Sequence, residues 1–335
     1  MPGKRSSRNR CSVRGWGCGG WAERESAGGR AFTLLEVLVS TAVFALLVGF
    51  LFVAVNDSTR IFRRANDQMA TFQEARTAFD MLTRSLRSAT LNTYWDYDNV
   101  NNPQKYIRQS DLHFVLRPGS AAGVGKDGVF FQSASSYNED NRPLTGLLNT
   151  CGFFVEYGPD NPPAGVPVRD RYRLKQILLP GSQMTAFSST NATDFGWFTG
   201  ALAGAVSLGE NIILLRIWPR MKEPLNAADP GSDSLSDSYS YNSRTGATAS
   251  PQPITANQMP PLLDVTMVAI EESSAKRLAP GTLDGILNGL FEVSKQADYE
   301  ADLATLETGL KNAQPPIAYR VFRATVPVAE SKWSP

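Results

Sequence analysis

Residues 28–55 read GGRAFTLLEVLVSTAVFALLVGFLFVAV. Residues 37–55 are 19 positions without a charge, and Ser40 and Thr41 carry the only side-chain hydroxyls among them. At ~1.5 Å per helical residue such a run covers roughly 28 Å, about the hydrocarbon thickness of a bilayer. A secretory signal peptide has a shorter apolar region with a small-residue cleavage site behind it. Here the chain runs on as NDSTRIFRRANDQM, so the segment is expected to stay attached and span the membrane.

Glu36 stands at the start of this run, and two readings of it stay open. A carboxylate near the interface and the N-terminus of a helix sits where the dipole favours an anion, and needs no further role. Alternatively, a carboxylate held at membrane depth, where it costs on the order of 2.5–3.5 kcal/mol, is relieved by a cation supplied from another molecule.

The flanking charge is uneven. Among residues 1–31, Lys4, Arg5, Arg8, Arg10, Arg14, Arg24 and Arg30 oppose Glu23 and Glu25, a net +5 that leaves −4 for the remainder of a chain whose total is +1. The basic head reads as a cytoplasmic flank. The mildly acidic body argues against nucleic acid as a partner, since phosphate binding needs a basic face. With 335 residues, 42% of them apolar, the chain is long enough for a sizeable core. Cys11 and Cys18 lie in the basic head without the partners of a zinc site, and Cys151 reads as a small buried residue.

At Phe32-Thr33-Leu34-Leu35-Glu36-Val37 the sequence resembles the N-terminal signature of type IV prepilins and type II secretion minor pseudopilins. That resemblance implies cleavage between Ala31 and Phe32 by a prepilin peptidase, methylation of the Phe32 amine, and the family glutamate at Glu36. It further implies extraction from the bacterial inner membrane into a helical or pseudohelical fibre. Sibling pilins or pseudopilins and an inner-membrane assembly platform would be the partners. Ala31 stands where the family usually has Gly. After the cut, Glu36 is the fifth residue, placed to meet the amine of a neighbouring subunit.

Beyond the apolar run, Phe62, Ala65, Met69, Phe72, Phe79, Leu82, Leu86 and Ala89 recur at helical steps. They predict an amphipathic continuation of the same helix to about Leu91, roughly 90 Å in all, with the stripe packed on the chain's own sheet. After Pro103 the pattern turns to strands, at 112–116, 129–132, 153–157, 172–179, 212–218, 263–270 and 319–328. Two helical faces interrupt them, Leu283 to Phe291 and Leu303 to Leu310, the second stopped by Pro315-Pro316. Residues 221–261, rich in Ser, Asp, Asn, Gly and Pro, read as a mobile insertion. The stretches at 261–278 (PLLDVTMVAIEESSAKRL) and 319–333 (YRVFRATVPVAESKW) resemble the Verru_Chthon cassette protein C group and, in layout, the J-type minor pseudopilins.

The expected organisation is a cytoplasmic leader (1–31), a membrane and assembly half-helix (32–55) in contact with lipid through residues 34–55, an amphipathic half-helix (56–92), and an exported periplasmic head (93–335). The expected fold is α+β, with the long helix packed on an antiparallel-sheet head. The sequence gives catalysis no support. His113, the only histidine, lies in a strand pattern, and GSAAGVGKDG (119–128) lacks phosphate-loop spacing and reads as a hairpin turn. Asp96, Asp98, Glu139 and Asp140 are ordinary loop acids, and Tyr94, Trp95 and Tyr97 are expected to cap a core rather than hold a glycan. GSDSLSDS (231–238) invites calcium but has no EF-hand spacing, so a solvated acidic loop is expected there, and no cofactor.

Overall fold

The computed structural model describes residues 33–117, 128–134, 146–160, 162–224, 230–279, 281–293, 295–331 and 333. The chain divides into two units, residues 1–59 and 60–335. Helix α1 (Leu34–Arg87) contributes residues 34–59 to the first and 60–87 to the second. The leader, Ala31 and Phe32 lie outside the described residues.

In the first unit the side chains of α1 from Leu34 to Val55 are apolar apart from Glu36, Ser40 and Thr41, and all are exposed in the single chain. The helix is long and apolar enough to cross a membrane. Its hydroxyls are turned inward on the helix itself: Ser40 donates to the Val37 carbonyl and Thr41 to the Leu38 carbonyl, both at 3.0 Å. Between Val37 and Val55 these are the only polar side chains, and both bond to the helix's own backbone.

In the second unit α1 is followed by strands β1 (Ala89–Thr90), β2 (Tyr94–Tyr97), β3 (Tyr106–Gln109), β4 (Val115–Leu116), β5 (Gly128–Ser133), β6 (Asn149–Pro159) and β7 (Asp170–Leu179). Then come the short helix α2 (Gly196–Thr199), β8 (Val206–Glu210), β9 (Ile212–Arg220), β10 (Tyr241–Asn242) and β11 (Leu262–Ile270). Helices α3 (Glu272–Ala275), α4 (Thr282–Leu287) and α5 (Gln296–Asn312) precede the last strand, β12 (Tyr319–Pro327). One sheet runs β10-β4-β5-β6-β7-β8 with β1 added on β5, a second runs β12-β11-β9, and β2 and β3 form a separate hairpin. Every pairing is antiparallel.

Alternation along the strands builds three layers of core. Leu263, Val265, Met267 and Ala269 of β11 share a cluster with Ala75, Ala78, Phe79, Leu82 and Leu86 of α1. Val268 and Ile270, on the opposite face of β11, pack with Leu303, Leu306 and Leu310 of α5. In the larger sheet, Val129, Phe131, Cys151 and Phe153 turn towards the α1 cluster, while Phe130, Phe154 and Ile177 meet Trp197 and Phe198 of α2. Cys151 is buried as its sequence surroundings suggested.

Several expectations are corrected. The helix ends at Arg87 rather than near Leu91, because Ala89 and Thr90 pair with Ser133 and Gln132 as a strand. His113 precedes β4, which is only two residues long. The apolar stripe divides: Phe79, Leu82, Leu86 and Ala89 are buried, whereas Phe62 is 70% and Met69 57% exposed. Residues 230–261 of the expected mobile insertion are packed, with Tyr239, Tyr241, Ser243, Arg244, Gln258 and Met259 buried. Polar bonds rather than an apolar stripe hold that segment. Arg244 Nη2 donates to the Asp111 and Ala186 carbonyls at 2.9 and 2.7 Å, and Tyr241 donates to the Gln258 carbonyl at 2.8 Å. Residues 225–229 of the insertion lie outside the described residues. What is described is an α+β fold, with a long N-terminal helix and antiparallel sheets.

Candidate functional site

Thr33 opens α1. The Glu36 backbone N–H lies 3.2 Å from Thr33 Oγ1 and 3.0 Å from its carbonyl oxygen, so Thr33 and Glu36 stand in the Ser/Thr-x-x-Glu relation that caps a helix start. The spacing that carries the family resemblance is therefore also a helix-start signal. The Glu36 carboxylate is exposed in the first turn, the only ionisable side chain between residues 34 and 56. An anion there sits on the positive end of the helix dipole, at the start of an otherwise apolar, exposed surface. Ala31 and Phe32, the expected cleavage site and methylated amine, lie outside the described residues.

The first exposed turns of α1 in the second unit carry Arg60, Ile61, Phe62 and Arg63, and Met69 lies further along. These apolar side chains are available for contacts that the chain itself does not make among its described residues.

His113 is fully buried. Trp197 Nε1–H donates to its Nδ1 at 3.1 Å, so Nε2 carries the proton and donates to Asn242 Oδ1 at 2.7 Å. Burial pushes its pKa down to about 4, with Arg244 opposing the imidazolium and Asp194 favouring it. A neutral imidazole wedged between β10 and α2 is a packing element.

Of the acids singled out by sequence, Asp98 belongs to its own turn. Its Oδ1 accepts the N–H groups of Asn99, Gln104 and Lys105 at 3.0, 2.9 and 3.3 Å, and the Gln104 bond leads in holding its pKa below the ordinary carboxylate value. Asp96 Oδ1 accepts from the Tyr97 N–H at 2.7 Å. Glu139, Asp140 and residues 119–127 of the expected hairpin turn lie outside the described residues. Tyr94, Trp95 and Tyr97 do not cap a core; they are exposed on the β2–β3 hairpin, which has no third strand among the described residues. In the candidate calcium stretch, Asp233 is buried and bonded to Arg220, which also reaches Asp264 at 2.6 Å. Arg220 thus occupies the carboxylate that a cation would need.

Sequence reading missed a cleft of about 410 Å³ beside the β6–β7 hairpin, bounded by Tyr157, Arg169, Tyr172, Glu272, Lys276 and Asp284. Arg171 is its centre. Nε reaches Asp160 at 2.8 Å, and Nη1 reaches Glu210 at 2.6 Å and Glu272 at 2.9 Å. Asn211, in the left-handed region at φ 59° between β8 and β9, donates to Glu272 at 2.6 Å. Matched by three carboxylates, Arg171 ties the β6–β7 hairpin to α3, and its charge is already satisfied. The alternation of Arg171, Arg173 and Lys175 on β7 was the available signal. Arg173 and Lys175 both pair with Glu156 across the β6–β7 ladder, at 3.2 and 2.6 Å.

Compared with known proteins, the chain matches no family model, and no curated protein sequence is similar to it.

Proposed function

We propose that the chain is a non-enzymatic, prepilin-like subunit of the minor pseudopilin type. It would be cut before Phe32 by a prepilin peptidase, methylated on the new amine, and built by its N-terminal helix into a type II secretion or type IV pilus-like fibre. The observation that carries this reading is an exposed apolar helical surface, residues 34–55, broken by a single carboxylate, Glu36, four positions after Phe32. A helix of that kind needs lipid before assembly and neighbouring helices after it. Inner-membrane placement, with residues 1–31 cytoplasmic and the head periplasmic, belongs to the same reading. Sibling pseudopilins and an inner-membrane platform would be its partners.

A second reading has its own observation. The bond from the Glu36 N–H to Thr33 Oγ1 accounts for the Thr33–Glu36 spacing as helix capping alone. On that reading residues 34–55 anchor a binding or adhesive head that never polymerises.

The deciding experiment is the mass of the N-terminal peptide from protein produced with and without a prepilin peptidase. A peptide starting at Phe32 and carrying one added methyl, seen only with the peptidase, is the expected result. An intact leader, or a cut beyond Val55, would replace the fibre reading by the anchor reading.

A further inference from the structure

We propose that Tyr97 and Tyr106 form a site of intramolecular dityrosine cross-linking, closing the β2–β3 hairpin covalently under one-electron oxidation. The two residues face each other directly in the strand register. Their rings stack with centroids 4.7 Å apart at 27°, and the Tyr106 hydroxyl donates to the Tyr97 oxygen at 3.0 Å. Tyr97 is 43% and Tyr106 61% exposed, so an external oxidant reaches both. Tyrosyl radicals carry spin on the carbons ortho to oxygen, and those carbons flank the two oxygens that already touch.

The hairpin holds this pair in place from both ends. Asp98 and Asn99 gather the turn: Asp98 takes the N–H groups described above, and Asn99 Oδ1 accepts those of Asn101 and Asn102 at 2.9 and 3.3 Å. At the base, Asn92 Oδ1 accepts from the Ser110 hydroxyl and from the Asp111 and Leu112 N–H groups at 3.0 to 3.1 Å. A two-stranded ribbon is marginal alone, and residues 92–112 contain no cysteine, so no disulfide can staple it.

The balance is simple. A peroxidase with hydrogen peroxide removes one electron and one proton from each phenol, the Tyr106 proton already lying towards the Tyr97 oxygen. The two radicals join through a bond between ortho carbons, and the two displaced ring hydrogens move to the oxygens. Two hydrogen atoms leave the protein, and one peroxide is reduced to two waters. This inference does not rest on the fibre reading.

Tyr157 and Tyr172 provide an internal reference. They are also register partners, with centroids 4.6 Å apart, but their rings tilt by 40° and the Tyr172 hydroxyl donates to Asp284. The test treats the full chain in detergent micelles with peroxidase and hydrogen peroxide, followed by proteolysis and mass spectrometry. The expected product is a monomeric chain lighter by two hydrogens, whose linked peptides contain Tyr97 and Tyr106, with dityrosine fluorescence. Tyr97→Phe and Tyr106→Phe should each reduce it to background, while Tyr157→Phe leaves it unchanged. Cross-links confined to Tyr157 and Tyr172, links only between separate chains, or oxygen addition at Trp95 with no linked pair would each overturn the proposal.

Discussion

The indole N–H of Trp197 donates to Nδ1 of His113 across 3.1 Å, and this bond requires the imidazole to be neutral. The folded chain holds the His113 pKa down to about 4, against 6.5 for the free side chain. In the unfolded chain the ring takes up a proton as pH falls through 6.5, while in the folded chain it does not until about pH 4. Above 6.5 both states are neutral and stability is full; it is lost progressively between 6.5 and about 4. The difference amounts to about 3 kcal/mol. Denaturant unfolding of the parent and of His113→Gln across that window should diverge accordingly, with the parent falling more steeply as acid is added. Parallel curves would mean that His113 is protonated in the fold.

Gly152 sits opposite Phe130 on β5 and Ile177 on β7, at the centre of the larger sheet. A Cβ built there meets the Phe130 ring and lies 2.7 Å from Ile177 Cγ1. Phe130 cannot withdraw, because it stacks on Phe198 with centroids 3.8 Å apart. Gly152→Ala should therefore destabilise by about 1–3 kcal/mol, despite the entropy that alanine saves in a strand. In combination with Phe130→Leu the loss should be less than additive, which equilibrium unfolding of the two single variants and the double variant checks.

Strands β5, β6, β9 and β11 were legible because each buries a run of apolar residues, β9 and β11 on both faces, while β7 and β12 were legible from apolar residues interleaved with charged ones that stay half-buried or exposed. Strand β8 was not, since VSLGE offers no alternation and pairs with β7 through a register shift. The β2–β3 hairpin was hidden for a different reason: YWDY leaves all its side chains in solvent, YIRQ buries the adjacent Ile107 and Arg108 rather than an alternating set, and the turn is held by Asp98 and Asn99. Residues 230–261 are ordered by arginine, tyrosine and amide side chains bonding to backbone, which composition alone reads as a loop. At the candidate site Glu36 was legible as an anomaly against apolar neighbours. Its bond to Thr33 depends on where the helix begins, and boundaries are weakly encoded.

The division of the α1 stripe makes a direct comparison available. Leu82 is fully buried between the sheets, whereas Met69 stands largely in solvent. Leu82→Ala should cost about 2–5 kcal/mol of head stability, and Met69→Ala less than about 0.5 kcal/mol, both by denaturant unfolding of detergent-solubilised monomer. If Met69 and Phe62 are covered by sibling subunits, Met69→Ala should weaken incorporation into a fibre while leaving monomer stability unchanged. Equal losses of monomer stability for the two variants would show that the stripe is packed along its whole length.

Glu36 separates the two functional readings by substitution. Glutamine keeps the shape and hydrogen-bonding reach that a helix start uses three residues after Thr33, but it removes the charge; alanine removes both. If the carboxylate pairs with a neighbour's amine, Glu36→Gln and Glu36→Ala should both be cut and methylated nearly as the parent. Both should also be incorporated into the fibre less well, on the order of tenfold or more, since the amine is then left unpaired at membrane depth. If Glu36 serves only as a helix cap, the glutamine variant should behave as the parent and only alanine should show a small loss. Quantifying processed subunit in sheared fibres against subunit left in the membrane reads both outcomes. Incorporation of Glu36→Ala at the parental level would remove the pairing role altogether.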